Sequence, residues 1–142
     1  MRNVSELNMM GKNYFQEYLD ANHSYFILVP QNQGALDDLY DGHFFDEEKG
    51  IVRDDFLYMV FDEKDYLLME EYLFNFVDAR CDLIITMYEE EWAEGECLDT
   101  IRDITIRMIG NCDNKRFIEL ANEFKNLILR ARELKMPVVF YF

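Results

Sequence analysis

The run KRFIELANEFKNLILRARELK, residues 115–135, constrains this chain more than any other segment. Phe117, Leu120, Ala121, Phe124, Leu127, Ile128, Ala131 and Leu134 recur every three or four residues, the spacing that lays one apolar stripe along an α-helix. Asp113 or Asn114 stands where a cap accepts the first unpaired amides, and basic residues in the last turns suit the negative end of the helix dipole. Pro137 stops the helix, and the closing VVFYF, 138–142, reads as a strand. A one-sided helix followed at once by an apolar strand needs a sheet to pack on, so helices layered on a sheet are expected.

The remaining segments supply further layers. Val4, Leu7, Tyr14, Phe15, Tyr18 and Leu19 keep helical intervals and predict a first helix over 4–21. YFILVP, 25–30, is β-branched and aromatic and closes on proline, as a strand does. ALDDLY supplies about two helical turns running to Gly42, which accepts the positive φ of a helix end. Residues 42–55 hold two glycines and no helical period, and read as a loop with room for a bent edge strand.

FLYMVF, 56–61, is apolar on both faces, the pattern of a central strand covered on both sides. Residues 64–80 predict a helix burying Leu67, Met69, Leu73, Phe76 and Val77, and DLIITMY, 82–88, a second covered strand. That strand, helix, strand order implies a right-handed parallel crossover. In 98–110, Leu98, Ile101, Ile104 and Met108 fit a helix while Ile104, Ile106 and Met108 alternate as a strand; Ile101 joins only the helical period, so helix is preferred. The expected fold is α/β: one domain over 1–142, a largely parallel sheet of about four strands with helices packed on it. A chain of 142 residues suffices for one such core.

Half the residues are hydrophobic, with 12 Phe and 9 Tyr, so a net charge of -15 does not imply disorder. The charge is lopsided: residues 37–99 hold 21 of the 29 acidic side chains and 4 of the 14 basic ones, while the last third is slightly basic. Such segregation strains the compact state by self-repulsion, and a partner of opposite sign would account for it. Nucleic acid is a poor direct partner for this belt, and a basic protein is a better one. No apolar run approaches the roughly 20 residues that span a bilayer. The first residues show no secretory pattern, so no membrane association and a cytoplasmic location are expected. Cys81, Cys97 and Cys112 lie far apart without Cys-x-x-Cys spacing, and read as reduced, partly buried thiols and not as a disulfide framework or zinc site.

No phosphate-binding, dinucleotide, nucleophile-elbow or zinc-protease signature is present, so no motif names a reaction and no cofactor is expected. His43 near Asp41, Asp46 and Glu47 is the one group suggesting a hard cation or a proton relay, without the alternating spacing of a calcium loop. Two aromatic and acidic clusters are the better candidates. Trp92, the single tryptophan, is ringed by Glu89, Glu90, Glu91, Glu94 and Glu96. It either closes the end of the sheet or stands half-exposed as an anchor ringed by steering carboxylates. Tyr40, Asp41, Phe44, Phe45, Asp46, Glu47 and Glu48 form the second cluster, in which one of the two adjacent phenylalanines is expected to face the core.

GALDDLYDG, 34–42, resembles the inhibitory helix of the barstar-like immunity proteins, and RARELKMPVVFYF, 130–142, resembles their closing helix and strand. More broadly, a concentrated acidic surface with aromatic anchors on a small α/β protein is similar to immunity proteins of nuclease toxins, including those of contact-dependent inhibition. This resemblance implies a non-enzymatic inhibitor that neutralises a basic partner, a nuclease toxin, by charge-complementary contact, with Asp37, Asp38 and Asp41 among the contacts. The alternatives are a nucleic-acid mimic that inhibits a DNA-binding complex, with carboxylates in place of phosphates, and a carboxylate- or metal-dependent enzyme using His43.

Overall fold

The computed structural model describes residues 24–83, 85 and 90–142. The helix expected over 4–21 lies outside the described residues, as do Ile84 and residues 86–88 of the strand expected over 82–88.

Strand β1 (Tyr25–Pro30) leads through an Asn32 cap, whose side chain accepts from the Ala35 amide at 2.8 Å, into α1 (Gln33–Tyr40). Gly42, at φ +77°, turns the chain out of α1 as expected. The expected loop is a small hairpin, β2 (Phe45–Asp46) against β3 (Ile51–Val52). β4 (Phe56–Phe61) follows, and an Asp62 cap opens α2 (Glu63–Met69). A π-helical turn, Glu70–Phe74, joins α2 to α3 (Asn75–Cys81). β5 (Glu90–Ala93), α4 (Glu96–Gly110), α5 (Lys115–Leu134) and β6 (Val138–Tyr141) complete the order. The Asn114 side chain accepts from the Phe117 amide at 3.0 Å, so Asn114 caps α5. The preference for helix over 98–110 and the long helix with its closing strand agree with the structure.

The sheet differs from expectation. Its order is β4-β1-β6-β5, and every adjacent pair is antiparallel. The expected largely parallel sheet is therefore incorrect, although helices on a four-stranded sheet are present. The error starts after α3. Asp82 takes a left-handed conformation at φ 57°, and the Ile85 amide donates to the Asp78 carboxylate, so neither residue extends a strand. Among the described residues the next strand is β5, which carries Glu90, Glu91 and Trp92 and lies three places from β4 across the sheet, so no crossover there joins neighbouring parallel strands. β4 is also an edge and not a central strand, with Tyr58 43% and Val60 46% exposed. Apolar residues on both faces of a segment report burial; they do not report direction or position in a sheet.

Register divides the side chains between two faces. One face presents Tyr25, Ile27, Val29, Met59, Phe61, Val138 and Phe140 to α2–α5 and builds the main core. Within it Phe74 meets Phe124 and Phe140 edge-on at ring distances of 5.9 and 5.8 Å. The other face aligns Tyr58, Leu28, Val139 and Trp92 in one cross-strand row, and Val60, Phe26, Tyr141 and Glu90 in the next. On that face α1 and the hairpin form a second, smaller cluster with Ala35, Leu39, Phe44, Val52 and Phe56.

The helix expected over 64–80 exists, but two of its expected core residues, Leu67 and Phe76, are each 47% exposed. A π turn takes more residues per turn than an α turn and shifts the phase of the stripe. Met69 and Phe74, five apart, are both fully buried across it, and Tyr66 takes the place expected for Leu67. Among the described residues no helix is long and apolar enough to cross a membrane.

Candidate functional site

Strand β5 places Trp92 and Glu90 two residues apart, hence on the same side of the sheet. That side also carries α1, whose last residue is Tyr40. The Tyr40 and Trp92 rings stack with centroids 5.1 Å apart and planes 9° from parallel. Trp92 is half-buried at the margin of the smaller cluster, whereas Tyr40 is 69% exposed. The indole N–H donates to the Glu90 carboxylate. A Glu91 carboxylate oxygen accepts from the Trp92 amide at 3.1 Å. Trp92 thus packs on the smaller cluster and also stacks on the exposed Tyr40.

Glu90 and Trp92 stand in a strand at the sheet edge, and this brings part of the second cluster to the first. Tyr40 is joined to Trp92 and Glu90, while Asp37 and Asp41 sit on or directly after the same helix, exposed. Asp37 accepts from the Gln33 side chain at 2.9 Å. Asp46 is directed into its own hairpin, accepting from the Glu48 and Lys49 amides at 3.1 and 3.2 Å, and Glu47 and Glu48 form the exposed tip. Glu94 and Glu96 flank Gly95 at the start of α4, beyond the strand, where acids suit the helix dipole. Glu89 lies outside the described residues. Of the adjacent phenylalanines, Phe44 is buried against Phe26 and Tyr141, and Phe45 is half-buried on the same cluster.

Arg53 is the residue that sequence reasoning missed. Its guanidinium donates to Asp38 at 2.8 Å, to the His43 carbonyl at 2.8 Å, and to both Asp55 carboxylate oxygens at 3.1 and 2.6 Å, and it lies 5.4 Å from the Phe56 ring centroid. The Asp55 carboxylate, against some cost of burial and with help from Asp38, raises its already high pKa. Arg53 therefore locks the hairpin to α1 and occupies Asp38, one of the contacts implied by resemblance. A lone arginine in GIVRDD, within an acidic third, was the available signal.

The lopsided charge is also partly resolved within the chain. Arg116 of α5 forks onto Asp65 of α2 at 3.1 and 2.6 Å, and Arg132 onto Asp99 of α4 at 3.0 Å through each nitrogen. The basic last third thereby fastens to the acidic middle third. Arg132 holds the Asp99 carboxyl below the usual carboxylate range. Among the described residues no cation is paired with Asp37, Asp41, Glu90 or Glu94.

His43 gathers no ligand set with Asp41, Asp46 and Glu47; among the described residues no three His, Cys, Asp or Glu side chains converge. A cleft of about 200 Å³ between β4 and α5, lined by Leu57, Met59, Glu123, Leu127 and Arg130, lies at the opposite edge of the sheet from Trp92. No family model, no curated protein and no solved structure matches this chain. The likeness to barstar-like immunity proteins rests on 34–42 and 130–142 alone.

Proposed function

We propose that this chain is an acidic binding protein that docks and neutralises a basic protein through the surface centred on the Tyr40–Trp92 stack. The stack is the observation that carries this reading. Two aromatic rings from distant parts of the chain, one of them largely in water, are held in parallel contact and flanked by Glu90, Asp37 and Asp41. Stacked rings offer large, stiff apolar area that loses little side-chain entropy when covered. Surrounding carboxylates accelerate encounter with a cationic surface and orient it. By the resemblance, the partner class is a nuclease toxin whose basic active-site face would otherwise grip nucleic acid.

The test is a capture from the native host by the intact chain and by the Tyr40→Ala/Trp92→Ala chain, followed by binding kinetics. A basic protein should be retained by the first and lost by the second. Trp92→Ala should speed dissociation by about 30-fold, the effect of a ~2 kcal/mol anchor. Glu90→Lys with Asp41→Lys should chiefly slow association, and rising salt should do the same. Retention of the same partner by a folded double variant would sink the assignment of the surface. Displacement of the chain by duplex DNA from a DNA-binding complex would replace the toxin with the mimic's partner.

A further inference from the structure

Strand β4 ends the sheet at the edge opposite β5, and among the described residues no strand pairs with its outer side. The Gln31 amide donates to the Asp55 carbonyl at 3.0 Å, one step beyond the pairing of Pro30 with Phe56. Bonded and non-bonded pairs alternate along an antiparallel ladder, so Leu57, Met59 and Phe61 exchange backbone bonds with β1, while the amides and carbonyls of Tyr58 and Val60 point away from it. The strand reads FLYMVF, in unbroken register with β1, and has none of the charges, prolines or bulges by which an open edge resists pairing. Beside it, the cleft under α5 is lined by Leu57, Tyr58 and Met59 from the strand and by Glu123, Asn126 and Arg130 from the helix. These three helix residues are exposed and stand at i, i+3 and i+7: an acid at one end, a base at the other, an amide between. That order is its own complement, because a two-fold axis near Asn126 brings the acid of one copy to the base of another.

We propose that β4 pairs antiparallel with β4 of a second copy of this chain, about a two-fold axis at Tyr58, joining two four-stranded sheets into one of eight. Each Tyr58 amide donates to the Tyr58 carbonyl of the other copy, and each Val60 amide to the other copy's Phe56 carbonyl. In the helix layer, Glu123 of each copy faces Arg130 of the other, and the two Asn126 side chains meet at the axis. Arg130 already holds Glu133 on its own helix, and its guanidinium has donors left for a second carboxylate. The interface is one strand and one helix flank from each copy, and each copy carries a net charge of -15, so the dimer should form reversibly with concentration. It leaves Trp92 at the opposite edge uncovered and does not rest on the docking surface proposed above.

The full chain is sedimented over a range of concentrations at about 0.15 M salt, where repulsion between the copies is screened. Its mean mass should climb towards twice that of the monomer. Tyr58→Pro removes an outward amide without touching the β1 ladder, and Val60→Lys sets a charge on the edge; each should weaken the dimer by about tenfold or more and leave the circular dichroism unchanged. Glu123→Arg sets base against base and Arg130→Glu acid against acid, both on the helix surface. Each should weaken the dimer alone, and an equal mixture of the two variants should restore it. A chain that stays monomeric at every concentration, a dimer indifferent to the strand substitutions, or charge variants that do not rescue one another would overturn the proposal. So would a monomer whose Tyr58 and Val60 amides resist hydrogen exchange, since another segment of the same chain would then hold the edge.

Discussion

The two faces of the sheet are built to different standards. The helix-covered face is sealed: Phe74, Phe117, Phe124 and Phe140 are all fully buried, and α2–α5 lie over it. Among the described residues the opposite face is covered by α1 and a short hairpin, and its two ends are partly exposed, at Tyr58 and Val60 on one edge and at Tyr40 and Trp92 on the other. Burial on the first face supplies stability. Thinner cover on the second leaves Tyr40 and Glu90 exposed among the described residues. The division follows from geometry: a helix layer shields a whole sheet face, whereas an eight-residue helix and two-residue strands shield only its middle.

This contrast can be broken by substitution. Phe124→Ala, which empties a site between Phe74 and Phe140, should lower unfolding free energy by about 3–5 kcal/mol in urea titration. Leu39→Ala removes the buried anchor of α1 and should cost about 2–3 kcal/mol, because the thinner layer can settle into the space. Equal losses at Phe124 and Leu39 would erase the distinction between the faces. Tyr40→Ala should cost about 0.5–1 kcal/mol, the stacking contribution of a mostly exposed ring, and leave the circular dichroism unchanged. A loss as large as that of Leu39→Ala would make Tyr40 a core residue and not a contact.

The smallest effect concerns pH. Burial first, with Glu91 and Glu70 adding to it against the Ile85 amide, raises the pKa of Asp78. The folded chain therefore holds this proton more tightly than the unfolded one, and the ionised carboxylate costs stability at neutral pH. That cost shrinks as pH falls through the raised value towards the unfolded value of about 4. Asp78→Asn, which still accepts from Ile85, should raise the urea midpoint slightly at pH 7. The difference between the two chains should vanish near pH 4, and a gain that grows on acidification would reverse the sign.

Local chemistry was legible wherever a segment's own pattern decides its structure. The stripe from Phe117 to Leu134, the turn at Gly42 and the helix joined by Ile101 could be read because each needs only neighbours three or four residues away. The π turn at Glu70–Phe74 could not, since packing against the core selects it, and Leu67 and Phe76 were misplaced with it. At the candidate site, composition singled out Trp92 and Tyr40 separately. Nothing in the spacing of residues 40 and 92 indicates a stack, and Arg53 drew no attention because its partners Asp38 and Asp55 acquire meaning only once the hairpin folds back on α1.

By itself the sequence determined the helix-on-sheet class, the identity of most elements and the placement of its acidic excess, because apolar periodicity and charge are properties of the chain. Tertiary structure alone decided that the strands run antiparallel, that β4 and β5 are edges, and that Arg116 and Arg132 absorb part of the charge while Glu90 stays beside the tryptophan. The reason is physical: a strand's pattern states how much of it is buried, but its direction and neighbours depend on which distant segment buries it at least cost.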